Sequence, residues 1–168
     1  MIICLTGTND PGKNEAASVL IGKGFEYRSP LDEARVVAAE EGTVVDERTI
    51  SDFLDARARV EPLFWVNRIL SSLRNDQDVV IDHISTTQEV TFLKQRSAII
   101  IGVYASVEIR LLRTLAKSAS HGKADRILQN ARMLQMSDYT IINEPSTDFP
   151  AQIARILSGV KHGPRQLA

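Results

Sequence analysis

The chain has 168 residues, of which 43% are hydrophobic and 24% charged, and this composition is ordinary for one globular domain. Its 20 basic and 21 acidic residues give a net charge of −1, which excludes the overall positive field of a nucleic-acid-binding protein. A single cysteine, Cys4, excludes an internal disulfide framework, and no apolar run is long enough for a membrane span, so we expect a cytoplasmic protein with no nucleic-acid or membrane partner.

Five short apolar segments predict β-strands at residues 2–6, 25–28, 78–83, 98–104 and 139–142. Their apolarity is nearly continuous rather than alternating, which is typical of strands buried on both faces of a parallel sheet. The segment at 25–28 gives the weakest of these signals.

Helical patterns occupy the intervals between the strands. The first runs from the end of the glycine-rich loop to Gly24, and the second begins with Ser29 as N-cap and Pro30 at the first helical position. A longer pattern extends over 46–73, where Pro62 should break it. Further helices are expected at 87–95, 106–118, 123–135 and 148–158. Since strand and helix alternate, right-handed connections predict a three-layer α/β sandwich formed by one domain at 1–160, with a flexible tail at 161–168.

The stretch "GTNDPGKN" after the first strand has the spacing of a phosphate-binding P-loop. Backbone N–H groups in such a turn, together with the positive end of the following helix, form an anion site. The predicted nucleotide-binding residues are Gly7, Thr8, Asn9, Asp10, Pro11, Gly12, Lys13, Asn14 and Glu15.

Three features of this loop differ from an ordinary P-loop. Asn14 stands where a Ser or Thr would offer a hydroxyl to magnesium, the Asp10 carboxylate would repel phosphate unless it points outward or assists the metal, and Pro11 lacks an N–H. An ordinary Gly/Pro turn is the alternative interpretation.

Asp82 ends the apolar strand "VVID" and is the candidate magnesium-binding acid, with Asn14 as a second candidate ligand. The alternative is a strand-terminal or capping aspartate. His83 beside it is either a base or, more simply, a polar turn residue.

Basic residues cluster later in the chain. Arg110, Arg113 and Lys117 share one helical face, and the small polar residues after them predict a mobile lid at 114–126 that supplies charge to phosphates. Arg113, Lys123 and Arg126 are the candidate contacts, and a solvated helix face is the alternative.

Residues 29–75 lie between the first and third predicted strands, where a P-loop kinase would bind the molecule that accepts its phosphoryl group. An acceptor phosphate requires a nearby arginine, and the candidate residues are Ser29, Arg35 and Arg57. A surface position is the alternative for each arginine.

Several segments resemble a known family: "LTGTNDPGKNEAASVL", "GFEYRS", "VVIDHISTTQEVTFLK", "AIIIGVYASVEIRLLR" and "MSDYTIINEPSTDFPAQI". Over nearly all of 1–158 they are similar in order and spacing to dephospho-CoA kinases and nucleoside-monophosphate-kinase-like P-loop proteins, in particular the deoxynucleotide-kinase-like branch. The resemblance implies a five-stranded parallel sheet in the order 2-3-1-4-5. It assigns catalytic roles to Lys13, Asp82 and Arg113 and places Asn143 near the adenine ring.

The resemblance implies an ATP- and Mg²⁺-dependent kinase that acts on a nucleotide or nucleotide-like acceptor, such as a nucleoside or deoxynucleoside monophosphate or dephospho-CoA. The chain differs from the nearest branch after Asp82, where "STT" at 85–87 replaces a turn that contains an arginine. The alternative is therefore a nucleotide-binding protein of the same fold that has lost catalysis.

Overall fold

A computed structural model describes residues 1–7, 11–74, 76–105, 131–144 and 147–162. The strands are β1 (Ile2–Gly7), β2 (Glu26–Arg28), β3 (Val79–Ile81), β4 (Ile99–Tyr104) and β5 (Tyr139–Ile142). The helices are α1 (Pro11–Ile21), α2 (Pro30–Glu40), α3 (Ile50–Val60), α4 (Phe64–Ser72), α5 (Thr87–Lys94) and α6 (Phe149–His162). Residues 131–135 are also helical.

The five strands form one sheet in the order β2-β3-β1-β4-β5, and every neighbouring pair is parallel. β1 lies in the centre, where Cys4 is opposite Ile81 of β3 and Ile100 of β4. The predicted α/β architecture and strand order are confirmed. The central position explains why the first strand is almost purely apolar, since it is covered on both faces.

The two faces of the sheet are packed by different helices. Ile3 and Leu5 point to one side, where they belong to the same core cluster as Leu20 of α1 and Ile153 of α6. Cys4 points to the other side, into a cluster formed largely by α4 and α5. This alternation along β1 produces the three layers.

A smaller apolar cluster holds α2, α3 and α4 together. Trp65 is 2% exposed, packs with Val37 and Ile50, and donates its indole N–H to the Leu54 carbonyl at 3.1 Å. This cluster positions α3 and α4 beside the carboxyl edge of the sheet.

The boundaries of two predicted helices are informative. The expected break at Pro62 separates α3 from α4. α6 continues to His162, beyond the expected end at 158, because Ile156, Leu157 and Val160 extend its apolar face against the core.

Part of the predicted organisation lies outside the described residues. This applies to the helix at 106–118, the lid at 114–126, residues 123–130 of the next helix and positions 163–168 of the tail. Within the part of the chain that the structure describes, no helix is long and apolar enough to cross a membrane.

Candidate active site

Gly7 and Gly12, on either side of the turn between β1 and α1, pack closely against the sheet and the residue after β5. Gly7 has φ +121°, and a Cβ on it would lie 2.3 Å from the Val103 carbonyl oxygen of β4. A Cβ on Gly12 would lie 2.0 Å from Asn143 Nδ2. Both glycines are therefore required by close packing, and they place the N-terminus of α1 at the carboxyl edge of the sheet.

Lys13 and Asp82 meet at this edge because β1 and β3 are neighbouring parallel strands. Lys13 is 4% exposed and Asp82 fully buried, and Lys13 Nζ lies 4.0 Å from Asp82 Oδ1. Burial lowers the pKa of Lys13, and the charge of Asp82 opposes part of that change. A bound phosphate would add negative charge beside this amine and favour its protonated form.

The Asp82 carboxylate has several further partners. Oδ1 accepts the His83 backbone N–H at 2.6 Å, Oδ2 lies 3.2 Å from His83 Nδ1, and the Tyr27 hydroxyl donates to Oδ2 at 3.5 Å. Burial acts to raise the pKa of Asp82, but hydrogen bonding to His83 and the charge of Lys13 outweigh it and hold this pKa below its ordinary value. Asp82 is thus an ionised carboxylate at neutral pH.

The backbone at His83 is unusual. Its φ is +61°, in the left-handed region that residues with a Cβ seldom adopt. This conformation turns the His83 N–H back onto the side chain of Asp82, and it therefore helps to fix the carboxylate.

Asn143 contacts Gly12 in the first turn of α1. Its backbone N–H donates to the Tyr104 carbonyl at 2.7 Å, and its side chain is buried against Gly12. Among the described residues, Nδ2 has no hydrogen-bond partner. The predicted role of Asn143 near the adenine ring stays a prediction. Its contact with Gly12 is a feature that the sequence did not indicate.

A cavity of about 670 Å³ opens beside Lys13 and the residues after β3. Its lining includes apolar side chains from α2, α3 and α4, among them Leu31, Leu54 and Trp65. It also includes two carboxylates, Asp55 and Glu89. The cavity is thus a space with apolar and acidic walls that opens next to Gly7 and Lys13.

Glu89 and Asp55 were not singled out from the sequence. Thr86-x-x-Glu89 is a capping-box pattern, and the structure contains it: Thr86 Oγ1 accepts the Glu89 N–H at 3.2 Å, and Glu89 Oε2 accepts the Thr86 N–H at 2.9 Å. That pattern predicts where α5 begins. It carries no information on the cavity, which depends on how α3 packs.

The three candidate acceptor residues have partners of their own. Ser29 Oγ caps α2 by accepting the Asp32 N–H at 3.1 Å. Arg35 pairs with Asp32 at 2.9 Å, and Arg57 pairs with Glu41 and lies 5.0 Å from the centre of the Phe64 ring. None of the three lines the cavity beside Lys13, and their binding roles stay predictions.

The remaining predicted residues divide into two groups. Asn14 and Glu15 are exposed in the first turn of α1, and Pro11 begins that helix. The others lie outside the described residues: Thr8, Asn9, Asp10, Arg113, Lys123 and Arg126.

The groups present are compatible with a nucleotide and magnesium. Magnesium is commonly held by one or two carboxylates and by substrate phosphates rather than by a protein cage. In the described part of the chain Asp82 is an ionised oxygen donor of this kind, and no cluster of three or more His, Cys, Asp or Glu side chains forms a cage. Lys13 and the N-terminus of α1 would supply the positive side of a phosphate site.

No protein-family model and no curated protein matches the sequence. Solved structures do match it. Shikimate kinase from Aquifex aeolicus is 13% identical, with 98% of this chain and 100% of that chain covered and a TM-score of 0.68. Dephospho-CoA kinase from Campylobacter jejuni is 12% identical, with 95% and 96% covered and a TM-score of 0.58.

A gluconokinase from Sinorhizobium meliloti is 10% identical, with 95% of this chain and 94% of that chain covered and a TM-score of 0.55. At such identities the similarity establishes the fold alone. The chain therefore has a P-loop kinase-like fold over almost its whole length.

Proposed function

We propose that the protein is an ATP-dependent small-molecule kinase that transfers the γ-phosphoryl group of ATP to an acceptor bound in the cavity beside Lys13. The observation that carries this proposal is the buried pair of Lys13 and Asp82, with Nζ and Oδ1 4.0 Å apart between the loop and the cavity. The sequence resemblance favours a nucleotide or nucleotide-like acceptor, and the charges within the cavity bear on that choice.

The chain's own groups would act mainly by position and charge. The N-terminus of α1 and Lys13 would hold the ATP phosphates, and Asp82, with Asn14 as a second candidate, would hold Mg²⁺. Bound magnesium supplies neutralisation of charge on the phosphate oxygens. An acceptor hydroxyl oxygen forms a bond to the γ-phosphorus, the bond from that phosphorus to the β,γ-bridging oxygen breaks, and ADP leaves. The hydroxyl proton passes to solvent.

The second candidate function is nucleotide binding without transfer. It is favoured by Asn14, which has no hydroxyl, and by the hydrogen bonds that already engage both oxygens of Asp82. The missing arginine after Asp82 points the same way.

Calorimetry with ATP and Mg²⁺ tests the shared part of both proposals. Lys13→Ala should weaken binding at least about tenfold, a loss of about 1.4 kcal/mol. Lys23→Ala is the matched control, since Lys23 is exposed in the turn after α1 and should bind as the wild type does. Failure of the wild type to bind millimolar ATP would contradict both functions.

Measurement of ADP release distinguishes the kinase from the non-catalytic nucleotide-binding protein. A wild-type protein that binds ATP and releases ADP with at least one small acceptor is a kinase. ATP binding with no release across nucleosides, nucleotides, dephospho-CoA, sugars and hydroxylated amines would instead support the non-catalytic function.

A further inference from the structure

Besides Lys13 and His83, the ionisable side chains that line the cavity are two carboxylates. Asp55 of α3 and Glu89 of α5 both line it. Among the described residues, neither carboxylate takes part in an ion pair, whereas Lys13, the lysine of the cavity, is already close to Asp82. An acceptor in this space would meet two carboxylates that form no ion pair with a described cation.

Glu89 has unused acceptor capacity. It is 6% exposed, and the hydrogen bonds that it accepts from Ser85 and Thr86 all end on Oε2, at 2.9 to 3.1 Å. In the described structure Oε1 accepts none of them. Oε1 is not among the buried atoms that lack a partner and is therefore open to solvent-accessible space, where a ligand ammonium could donate a charge-assisted hydrogen bond to it.

Three arginines in this half of the molecule pair with carboxylates outside the cavity. Arg35 and Arg57 pair with Asp32 and Glu41, and Arg28, at the end of β2, pairs with Glu26. None of these arginines is part of the cavity lining. A phosphate on the acceptor would therefore face carboxylates with no described arginine to bind it, which is unfavourable on both counts.

We infer that the acceptor is a hydroxylated amine without a phosphate group, whose ammonium lies between Asp55 and Glu89 and whose apolar face packs on Leu54 and Trp65. This inference rests on the proposed kinase function and names its substrate class. It replaces the monophosphate acceptor that the sequence resemblance favoured.

Binding is measured first, because it does not depend on catalysis. The protein is loaded with Mg²⁺ and a non-hydrolysable ATP analogue, and two matched series are titrated calorimetrically: an amino sugar, the corresponding neutral sugar and its sugar phosphate; and a nucleoside with its monophosphate. The amino sugar should bind about tenfold more tightly than the neutral sugar, and the phosphates more weakly than either parent.

Two variants and one control test the assignment of the carboxylates. Asp55→Asn and Glu89→Gln should each weaken amine binding about tenfold and weaken binding of the neutral sugar much less, because a hydroxyl loses only a neutral hydrogen bond. Glutamine retains an acceptor for the capping box, so Glu89→Gln should still fold, which its thermal transition checks. Asp52→Asn removes an exposed carboxylate of α3 outside the cavity lining and should change neither ligand.

ADP release with the same compounds then distinguishes failure of the inference from failure of the proposed function. Tighter binding of either monophosphate than of its parent, equal amine binding in wild type and both variants, or no binding of any compound at millimolar concentration would each overturn the inference. Amine binding that depends on Asp55 and Glu89 but gives no ADP release would support the inference about the cavity and contradict the kinase.

Discussion

Replacing Gly12 with alanine tests whether the first turn of α1 packs directly against the Asn143 side chain. A Cβ at Gly12 would lie 2.0 Å from Asn143 Nδ2 and 3.0 Å from Val103 Cγ1. Both neighbours are buried, with exposed fractions of 6% and 1%, so they have little room to move aside. Overpacking of a core usually costs about 1–3 kcal/mol, and we expect Gly12→Ala to lower the free energy of unfolding by about 2 kcal/mol.

Asn143→Ala should rescue this loss. It deletes the amide that the new methyl group would meet, and the Nδ2 atom that is removed has no hydrogen-bond partner among the described residues. Alone, this change should leave the stability within about 1 kcal/mol of the wild type. The double variant should be about 2 kcal/mol more stable than the sum of the two single effects predicts, which is a normal coupling for residues in contact.

Two other glycines provide the comparison. At Gly7 the clash is with the Val103 backbone and φ is +121°, so Gly7→Ala should cost at least about 3 kcal/mol and Asn143→Ala should not relieve it. At Gly159 of α6 no described atom lies within 4 Å of an added Cβ. Gly159→Ala should therefore stabilise the protein by up to about 1 kcal/mol through helix propensity.

Urea unfolding followed by tryptophan fluorescence measures all six variants, including the double variants of Asn143→Ala with Gly12→Ala and with Gly7→Ala, since Trp65 is the single tryptophan of the chain and is 2% exposed. Effects of Gly12→Ala and Asn143→Ala that add within about 0.5 kcal/mol would refute the proposed contact. So would a similar rescue of Gly7→Ala, because no side chain causes that clash.

Three further predictions follow from individual pKa changes. Burial raises the pKa of the Cys4 thiol far above its ordinary value, so alkylation at mildly basic pH, followed by mass spectrometry, should occur only as fast as the protein unfolds. Hydrogen bonds from Thr49 lower the pKa of Asp46 in the folded protein. The ionised carboxylate therefore stabilises the fold at a pH above the pKa of the unfolded chain. This stabilisation is lost as the pH falls through the lower pKa of the folded state. Asp46→Asn should therefore have a lower melting temperature than the wild type at pH 7, and the difference in melting temperature should disappear below pH 3.8. Burial and the charge of Asp82 raise the pKa of Tyr27 to about 12, so a spectroscopic titration should lose its latest-ionising tyrosine in Tyr27→Phe.

The fold was readable from the sequence because its signals are local. β1, β3 and β4 consist almost entirely of apolar residues, which identifies them as buried strands, and the P-loop spacing identifies the turn after β1. Lys13 and Asp82 were each predicted from the sequence, and the structure brings them together because the carboxyl ends of neighbouring parallel strands meet at one edge. The short strand β2 gave the weakest signal because only Glu26–Arg28 enter the sheet.

The side-chain arrangement in and around the cavity beside Lys13 could not be predicted from the sequence in the same way. Arg57 lies 16 positions from its partner Glu41, and their ion pair depends on how α3 packs beside the end of α2. Asp55 and Glu89 are 34 positions apart and share a cavity only through that same packing. Sequence spacing identifies groups on one helix or at one sheet edge, whereas these pairs belong to different helices.

The choice between a kinase and a non-catalytic nucleotide-binding protein depends more on Asp82 than on Asn14. Asn14 is exposed in the first turn of α1, and loss of its hydroxyl removes one possible metal ligand. In P-loop NTPases an acid at the end of a strand holds magnesium, and Asp82 is the residue proposed for that role here. A carboxylate offers about four lone-pair sites, and the two nearest hydrogen-bonding contacts of Asp82, both from His83, lie at 2.6 and 3.2 Å, with Tyr27 farther away at 3.5 Å. Acceptor capacity therefore remains for a metal-bound water, and because the carboxylate is held ionised, this geometry supports the catalytic proposal.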